Sequence, residues 1–272
     1  MTNPNLHNPH LDGSPFFWEG GEVGVFLSHG LTATAIEVRT LAKLLHEKGY
    51  TVAGPLLAGH GTSPEDLNQT RWQDWVRSGE EVYQELARRC SKVFLGGESV
   101  GAVVALYLAS QHSESVAVLA YAPAIKLALS TVDQVKLRLL SPFVKAVPKA
   151  SLDSDQKWQG YRVNPLKAAL QLLKFQEEVR RRLPQVHQPV LVVQGRLDAT
   201  IHPSAGEIIL SGVSSEVKEL HWMERSMHVV LLDQEIDQVL EITLRFMESA
   251  MHHKAENNLQ SRENKDLIEE ID

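Results

Sequence analysis

The sequence predicts an α/β protein: a mostly parallel central sheet flanked by helices, with a helical insertion. Three observations predict it. Short apolar runs alternate with longer helical patterns through the first 123 residues. The runs, such as Val93-Phe94-Leu95 and Val190-Leu191-Val192-Val193, are apolar on both faces, as strands are when helices cover both sides of a parallel sheet. The rhythm then breaks at residues 124–186 and resumes afterwards. With 272 residues, 43% of them hydrophobic, the chain can bury one large core, so one domain with an insertion is expected.

In order, residues 1–15 read as a loose lead-in, with Phe16, Phe17 and Trp18 packing it onto the body. Val25-Phe26-Leu27 is a first strand, running into Ser28-His29-Gly30-Leu31-Thr32. Residues 36–48 have helical spacing, Ile36, Leu41, Leu44 and Leu45 sharing a face, and Gly49 stops the helix. Thr51-Val52-Ala53 is a strand, and residues 55–64 form a Gly/Pro-rich loop. Residues 72–90 read as an amphipathic helix and 93–95 as a buried strand. Residues 102–109 are Ala/Leu-rich and apolar all round, which predicts a buried helix. Residues 116–121 are a further strand. Helical patches at 135–147 and 165–183 make the insertion, which holds no convincing strand. A strand at 190–193, a helix at 203–210, a strand at 216–220 and a long helix over 229–251 close the body. The expected organisation is a core of residues 16–123 and 187–251, a helical cap of 124–186 and a charged tail of 252–272.

The net charge of −7, without a basic block, argues against a nucleic-acid partner. Cys90 is the single cysteine, so no intrachain disulfide forms, which fits a reducing compartment. Residues 1–9 are polar and lack a signal peptide's apolar core. No stretch approaches the roughly 20 apolar residues of a membrane span. A cytoplasmic protein without stable membrane insertion is expected. The tail leaves a homodimer open.

The chemistry centres on Gly97-Glu98-Ser99-Val100-Gly101, between a predicted strand and a predicted helix. The turn must be sharp, and glycines two before and two after Ser99 remove Cβ atoms that would clash. This is the strand–turn–helix setting of a nucleophile elbow. A serine nucleophile needs a base, and the base needs an acid to orient it, in the chain order Ser, acid, His. Asp198 lies just past the strand at 190–193, at the carboxyl end where parallel sheets place site residues. Asp133, Asp153 and Asp155 fall in the insertion, and Asp233 lies beyond the histidine. The expected base is His228, after the last strand; His221 is its local rival. Two backbone N–H groups should form an oxyanion hole, Val100 after the nucleophile and Leu31 in the loop after the first strand, with Gly30 allowing close substrate approach. His29 and His60 are expected to be scaffold residues. With no metal-ligand spacing, neither a metal nor another cofactor is expected.

The stretches 27–32, 55–64, Trp72-Gln73-Asp74-Trp75, the elbow, Gly195-Arg196-Leu197-Asp198 and Ser226-Met227-His228 together resemble the bacterial carboxylesterase and monoacylglycerol lipase branch of the α/β-hydrolase superfamily. The resemblance covers roughly residues 22–250 and implies an α/β-hydrolase fold. It implies Ser99, Asp198 and His228 as triad and Leu31 and Val100 as oxyanion donors. It also implies a cap over an apolar acyl pocket, and a small-molecule acyl ester of short to medium chain, or a monoglyceride, as substrate. Glu98 and Val100 depart from the branch, which commonly has a neutral residue and Met there. Glu98 then either stabilises the imidazolium or pairs elsewhere. The same triad would serve a thioesterase, an amidase or a C–C hydrolase, and the fold also serves as a ligand-binding module. The presence of every triad residue favours the enzyme.

Overall fold

The apolar runs become a seven-stranded sheet in a computed structural model that describes residues 3–149 and 157–269, with side chains described through residue 254. In chain order the elements are β1 (Leu6–His7), β2 (Phe16–Trp18), β3 (Val23–Ser28), α1 (Ile36–Glu47), β4 (Thr51–Gly54), α2 (Pro64–Gln69), α3 (Trp72–Arg89), β5 (Lys92–Glu98), α4 (Val100–Ala109) and β6 (Val118–Tyr121). The insertion follows, with α5 (Thr131–Leu140), β7 (Ala146–Pro148), β8 (Gly160–Tyr161), β9 (Val163–Pro165) and α6 (Leu166–Arg182). After it come β10 (Val190–Gly195), α7 (Ala205–Gly212), β11 (Lys218–Met223) and α8 (Ile236–Glu269).

The sheet order is β11-β10-β6-β5-β3-β4-β2, so β5, which leads to Ser99, is its central strand. All neighbours pair parallel except β2, which lies antiparallel on the edge. Side chains on successive strand residues point to opposite faces. Val93 and Leu95 therefore enter one core with α3, α4, α6 and α7, while Phe94 enters the other with α1 and α8. β10 alternates in the same way, Val190 and Val192 against Leu191 and Val193. Each fully buried Val, Leu or Phe contributes roughly 1.5–3 kcal/mol. Helix α4 is buried at all ten positions, as its all-round apolar sequence requires.

Several boundaries differ from expectation. The last helix begins at Ile236 rather than at 229, and its backbone continues helical past 251, through the charged tail to Glu269. That stretch includes Lys254, Ala255, Glu256, Leu259, Gln260, Arg262, Glu263 and Lys265, all good helix formers, and no Gly or Pro. The insertion is not purely helical. β7 pairs with β9, and β8 pairs with β1, so residues 6–7 of the expected loose lead-in are tied directly to the insertion. Two- and three-residue strands carry no periodic signal, which is why the sequence pattern hid them. Helix α2, capped by the Ser63 hydroxyl with Pro64 at its first position, lies at the end of the Gly/Pro-rich loop and in the stretch up to residue 69, to which the sequence pattern assigns no element. The apolar residues of α5 face outward: Val135, Leu139 and Leu140 are exposed, as is Phe143 beyond the helix. Those of α6 turn inward, with Leu172, Leu173 and Phe175 buried. Gln176 and Arg180 tie α6 to the core by donating to the Ala124 and Ile125 carbonyls. Among the described residues no helix is long and apolar enough to cross a membrane.

Candidate active site

Ser99 sits between β5 and α4 with φ 56° and ψ −114°, a backbone conformation that a side-chain-bearing residue rarely adopts and that costs roughly 1–3 kcal/mol. Its N–H donates to the Tyr121 carbonyl at 2.9 Å and its carbonyl accepts from the Ala124 N–H at 3.0 Å, so the strained residue is held from both sides. The flanking glycines answer to close approach. A Cβ on Gly97 would overlap the Gly101 backbone, and one on Gly101 would overlap the Ser28 carbonyl. The elbow thus needs both glycines for β3, β5 and α4 to meet.

The three residues predicted from chain order converge. His228 Nε2 lies 3.1 Å from Ser99 Oγ, and His228 Nδ1 lies 2.9 Å from Asp198 Oδ2. The Asp198 side chain is only 1% exposed and that of His228 23%. The other Asp198 oxygen accepts from the Thr200 and Ile201 N–H groups at 2.7 and 3.0 Å. Burial works against the Asp198 charge, but the hydrogen bond and charge of His228, with those two N–H groups, hold its carboxyl below the usual value. The loop carrying His228 is pinned in turn. Ser226 Oγ and the Arg225 N–H donate to Glu235, and the Met227 N–H donates to Asp233. Asp233 therefore supports the loop rather than the imidazole. His221 pairs with Glu219 at 2.6 Å, and Asp133 accepts from Ser130 at the start of α5. Asp153 and Asp155 lie outside the described residues.

The Leu31 and Val100 N–H groups donate to nothing among the described residues, as an oxyanion hole requires. Gly30 packs against the nucleophile so closely that a Cβ there would stand 3.0 Å from Ser99 Cβ. His29 is fully buried, its Nδ1 2.9 Å from the Gly30 carbonyl and its Nε2 accepting from the Leu57 N–H at 3.1 Å. Burial lowers its pKa to about 4, so it stays neutral and structural. His60 Nδ1 lies 3.2 Å from both the Leu57 and Ala58 carbonyls, between two glycines of positive φ, pinning its loop. Of the two alternatives for Glu98, the structure has it pairing elsewhere. Its Oε2 accepts from the Leu231 N–H at 3.3 Å and its Oε1 is buried without a partner. Sequence reading missed Glu37, a buried residue in the first turn of α1 whose carboxylate accepts the Gly30 N–H at 2.5 Å. A lone acid on a helix face carries no signal until that contact is seen.

A cavity of about 280 Å³ opens between α5, α6 and α7, lined by Lys126, Leu127, Leu173, Arg180 and Ile208 among others, none of them a triad residue. Among the described residues no three His, Cys, Asp or Glu side chains group closely enough to hold a metal ion.

A family model described as serine aminopeptidase, S33, matches residues 22–235. The chain is 33% identical over 239 residues to the thermostable monoacylglycerol lipase of Bacillus sp. (strain H-257), covering 88% of this chain and 96% of that one. It is 30% identical over 235 residues to the carboxylesterase of Bacillus subtilis (strain 168), covering 86% and 96%. Among solved structures, one from the study of the metagenome-derived lipolytic enzymes LipS and LipT is similar with a TM-score of 0.82 and 30% identity, over 92% of this chain and 100% of that one. The monoacylglycerol lipase of Paleococcus ferrophilus, at 18% identity and a TM-score of 0.72 over 87% and 98%, shares the fold.

Proposed function

Because the chain belongs to the serine aminopeptidase S33 family of α/β hydrolases, we propose that it is a serine carboxylesterase acting on short- to medium-chain acyl esters through Ser99, His228 and Asp198. The observation that carries this reading is the continuous relay from Ser99 Oγ through His228 to Asp198, at 3.1 and 2.9 Å. In the proposed mechanism Ser99 Oγ attacks the ester carbonyl while His228 Nε2 takes the hydroxyl proton. The Leu31 and Val100 N–H groups receive the oxyanion, and the start of α4 adds its positive dipole end. His228 returns the proton to the departing alcohol, leaving an acyl group on Ser99. A water molecule, deprotonated by His228, then releases the acid. Asp198 keeps its charge throughout and holds the imidazole in the tautomer that faces Ser99. Cofactor-free catalysis follows from this set of residues. The single cysteine fits a reducing, cytoplasmic location.

Ser99→Ala should lower kcat at least roughly 10³-fold. A fluorophosphonate probe should label Ser99 and no other serine. Retention of more than about a tenth of wild-type esterase activity by Ser99→Ala would overturn the assignment. Monoacylglycerol lipase is the second reading, favoured by the Bacillus sp. relative. Rates for p-nitrophenyl acetate through palmitate, beside monoglycerides of equal length, separate the two. Each methylene buried in an apolar acyl site adds roughly 0.8 kcal/mol, so kcat/KM should climb by up to about fourfold per methylene to a medium-chain optimum. A marked preference for monoglycerides would move the assignment to the lipase, and a preference for anilides would move it to an amidase.

A further inference from the structure

The residues that hold the oxyanion loop are not all in it. Gly30 is the freest residue there, having no Cβ, yet both of its peptide planes are tied. The Gly30 N–H donates to Glu37 Oε2 at 2.5 Å. The Gly30 carbonyl accepts from the His29 ring at 2.9 Å and from the Ala33 N–H at 3.3 Å. That carbonyl shares a planar trans peptide with the Leu31 N–H, so fixing one aims the other the opposite way. Glu37 is 4% exposed, and its second oxygen accepts from Trp158 Nε1 at 3.0 Å.

Trp158 belongs to the insertion, and the same stretch of chain crosses the loop. The Thr34 N–H donates to the Gln159 carbonyl at 3.1 Å, Gly160 bridges Ala33, and the Tyr161 N–H donates to the Thr32 carbonyl at 2.8 Å. Lys149 Nζ donates to Thr32 Oγ1 at 2.7 Å and stands 4.1 Å from the centroid of the Trp158 ring. Thr32 itself has φ 67°, a left-handed conformation that needs holding. The insertion therefore grips residues 32–34 directly, and among the described residues it reaches the Gly30 N–H through Glu37.

We propose that Glu37 is a positioning residue for the oxyanion hole, and that Trp158 transmits the seating of the insertion to it. The proposal rests on the reading of Ser99 as nucleophile. Its chemistry is specific, because both partners of Glu37 are N–H donors. A carboxylate offers an acceptor oxygen to each, whereas an amide offers one acceptor and one donor. Burial raises the Glu37 carboxyl above its usual value against the opposing pull of the Gly30 N–H, His228, the Trp158 N–H and Lys149, so it is the geometry, one N–H donor on each oxygen, that argues for the carboxylate.

Glu37→Gln should lower kcat on p-nitrophenyl butyrate at least about tenfold with KM changed less than about twofold, since displacing a catalytic group by about 1 Å costs up to about 10²-fold. Trp158→Phe should lower kcat about threefold, by freeing Glu37 to shift. In the double variant the Gln oxygen accepts from Gly30 and its NH₂ no longer meets the indole N–H. Activity should then recover above that of Glu37→Gln alone. A purely structural role predicts no such recovery, because independent losses add. Affinity for a trifluoromethyl ketone, whose adduct places an oxyanion in the hole, should fall in step with kcat/KM. Wild-type kcat in both single variants, or a double variant no better than Glu37→Gln, overturns the proposal. If Glu37→Gln does not fold, Trp158→Phe decides it alone: reduced kcat at constant KM supports it, and unchanged kcat overturns it. Absence of fluorophosphonate labelling at wild-type Ser99 would overturn the functional reading and this inference together. Labelling of wild type and both single variants at equal rates overturns the inference alone.

Discussion

Glu98 sits directly before the nucleophile, fully buried, with the Leu231 and Val230 N–H groups towards its carboxyl and with Oε1 lacking a hydrogen-bond partner among the described residues. Burial, and then the neighbouring Glu37 carboxylate, push it well above the usual carboxylate range, which favours the neutral acid. Folded Glu98 thus keeps a proton that the unfolded chain has released. The folded state binds more protons in that window, so stability is fully present below the ordinary value of about 4.3 and is lost as pH rises through the raised one. Glu98→Gln imitates the protonated acid and should remove the loss. Thermal melts should show the variant matching wild type near pH 4 and exceeding it by a few degrees at pH 8. A wild-type advantage at pH 8 would mean that Glu98 is held as a carboxylate. Burial raises the Glu37 carboxyl as well, but there each oxygen meets its own N–H donor, so the same substitution should harm rather than help.

At the scale of elements, the site depends on strands ending at matched heights. β10 delivers Asp198 and the loop after β11 delivers His228, and the two strands run parallel in register from Val190↔Lys218 to Gly195↔Met223. Gly195 closes this pair. A Cβ there would overlap the Ser226 and Met227 carbonyls, immediately before His228. The Leu197 N–H already donates to the Ser226 carbonyl at 3.0 Å. Gly195→Ala should therefore push the histidine loop away from Asp198 and Ser99 and reduce kcat at least about tenfold. Steady-state kinetics with matched melting curves would test this. Unchanged kcat would show that the loop absorbs the displacement without moving the imidazole.

For the whole molecule, α8 decides where the fold ends. Phe246, Met247 and Ala250 are fully buried against the sheet, and Lys254 Nζ still donates to the Glu114 and Ser115 carbonyls. A chain ending at residue 254 should keep esterase activity and melt within about 2 °C of the full chain. One ending at 245 removes two large core side chains, each worth roughly 2–5 kcal/mol, and should fail to accumulate in folded form. Loss of activity in the longer of the two would show that residues 255–272 contribute to the fold or to an assembly.

The residues of the relay were legible in the sequence because each is announced locally. Ser99 lies between glycines that permit one sharp turn, and Asp198 and His228 follow strands whose apolar runs are unmistakable. The central sheet was legible for the same reason, since burial on both faces writes a continuous apolar run into each strand. Only the tertiary structure decided what surrounds those residues. Glu37 meets Gly30 seven residues away and Trp158 at a separation of 121, and Glu98 meets Leu231 at 133. Contacts at such separations leave no period or motif in the chain. The outward face of α5 and the inward face of α6 were equally undecided, because apolar residues at helical spacing record that a face exists, not what lies against it. Local sterics set the turn at Ser99, whereas the sheet register brings Asp198 and His228 to it and non-local contacts set the surroundings of the acids near it.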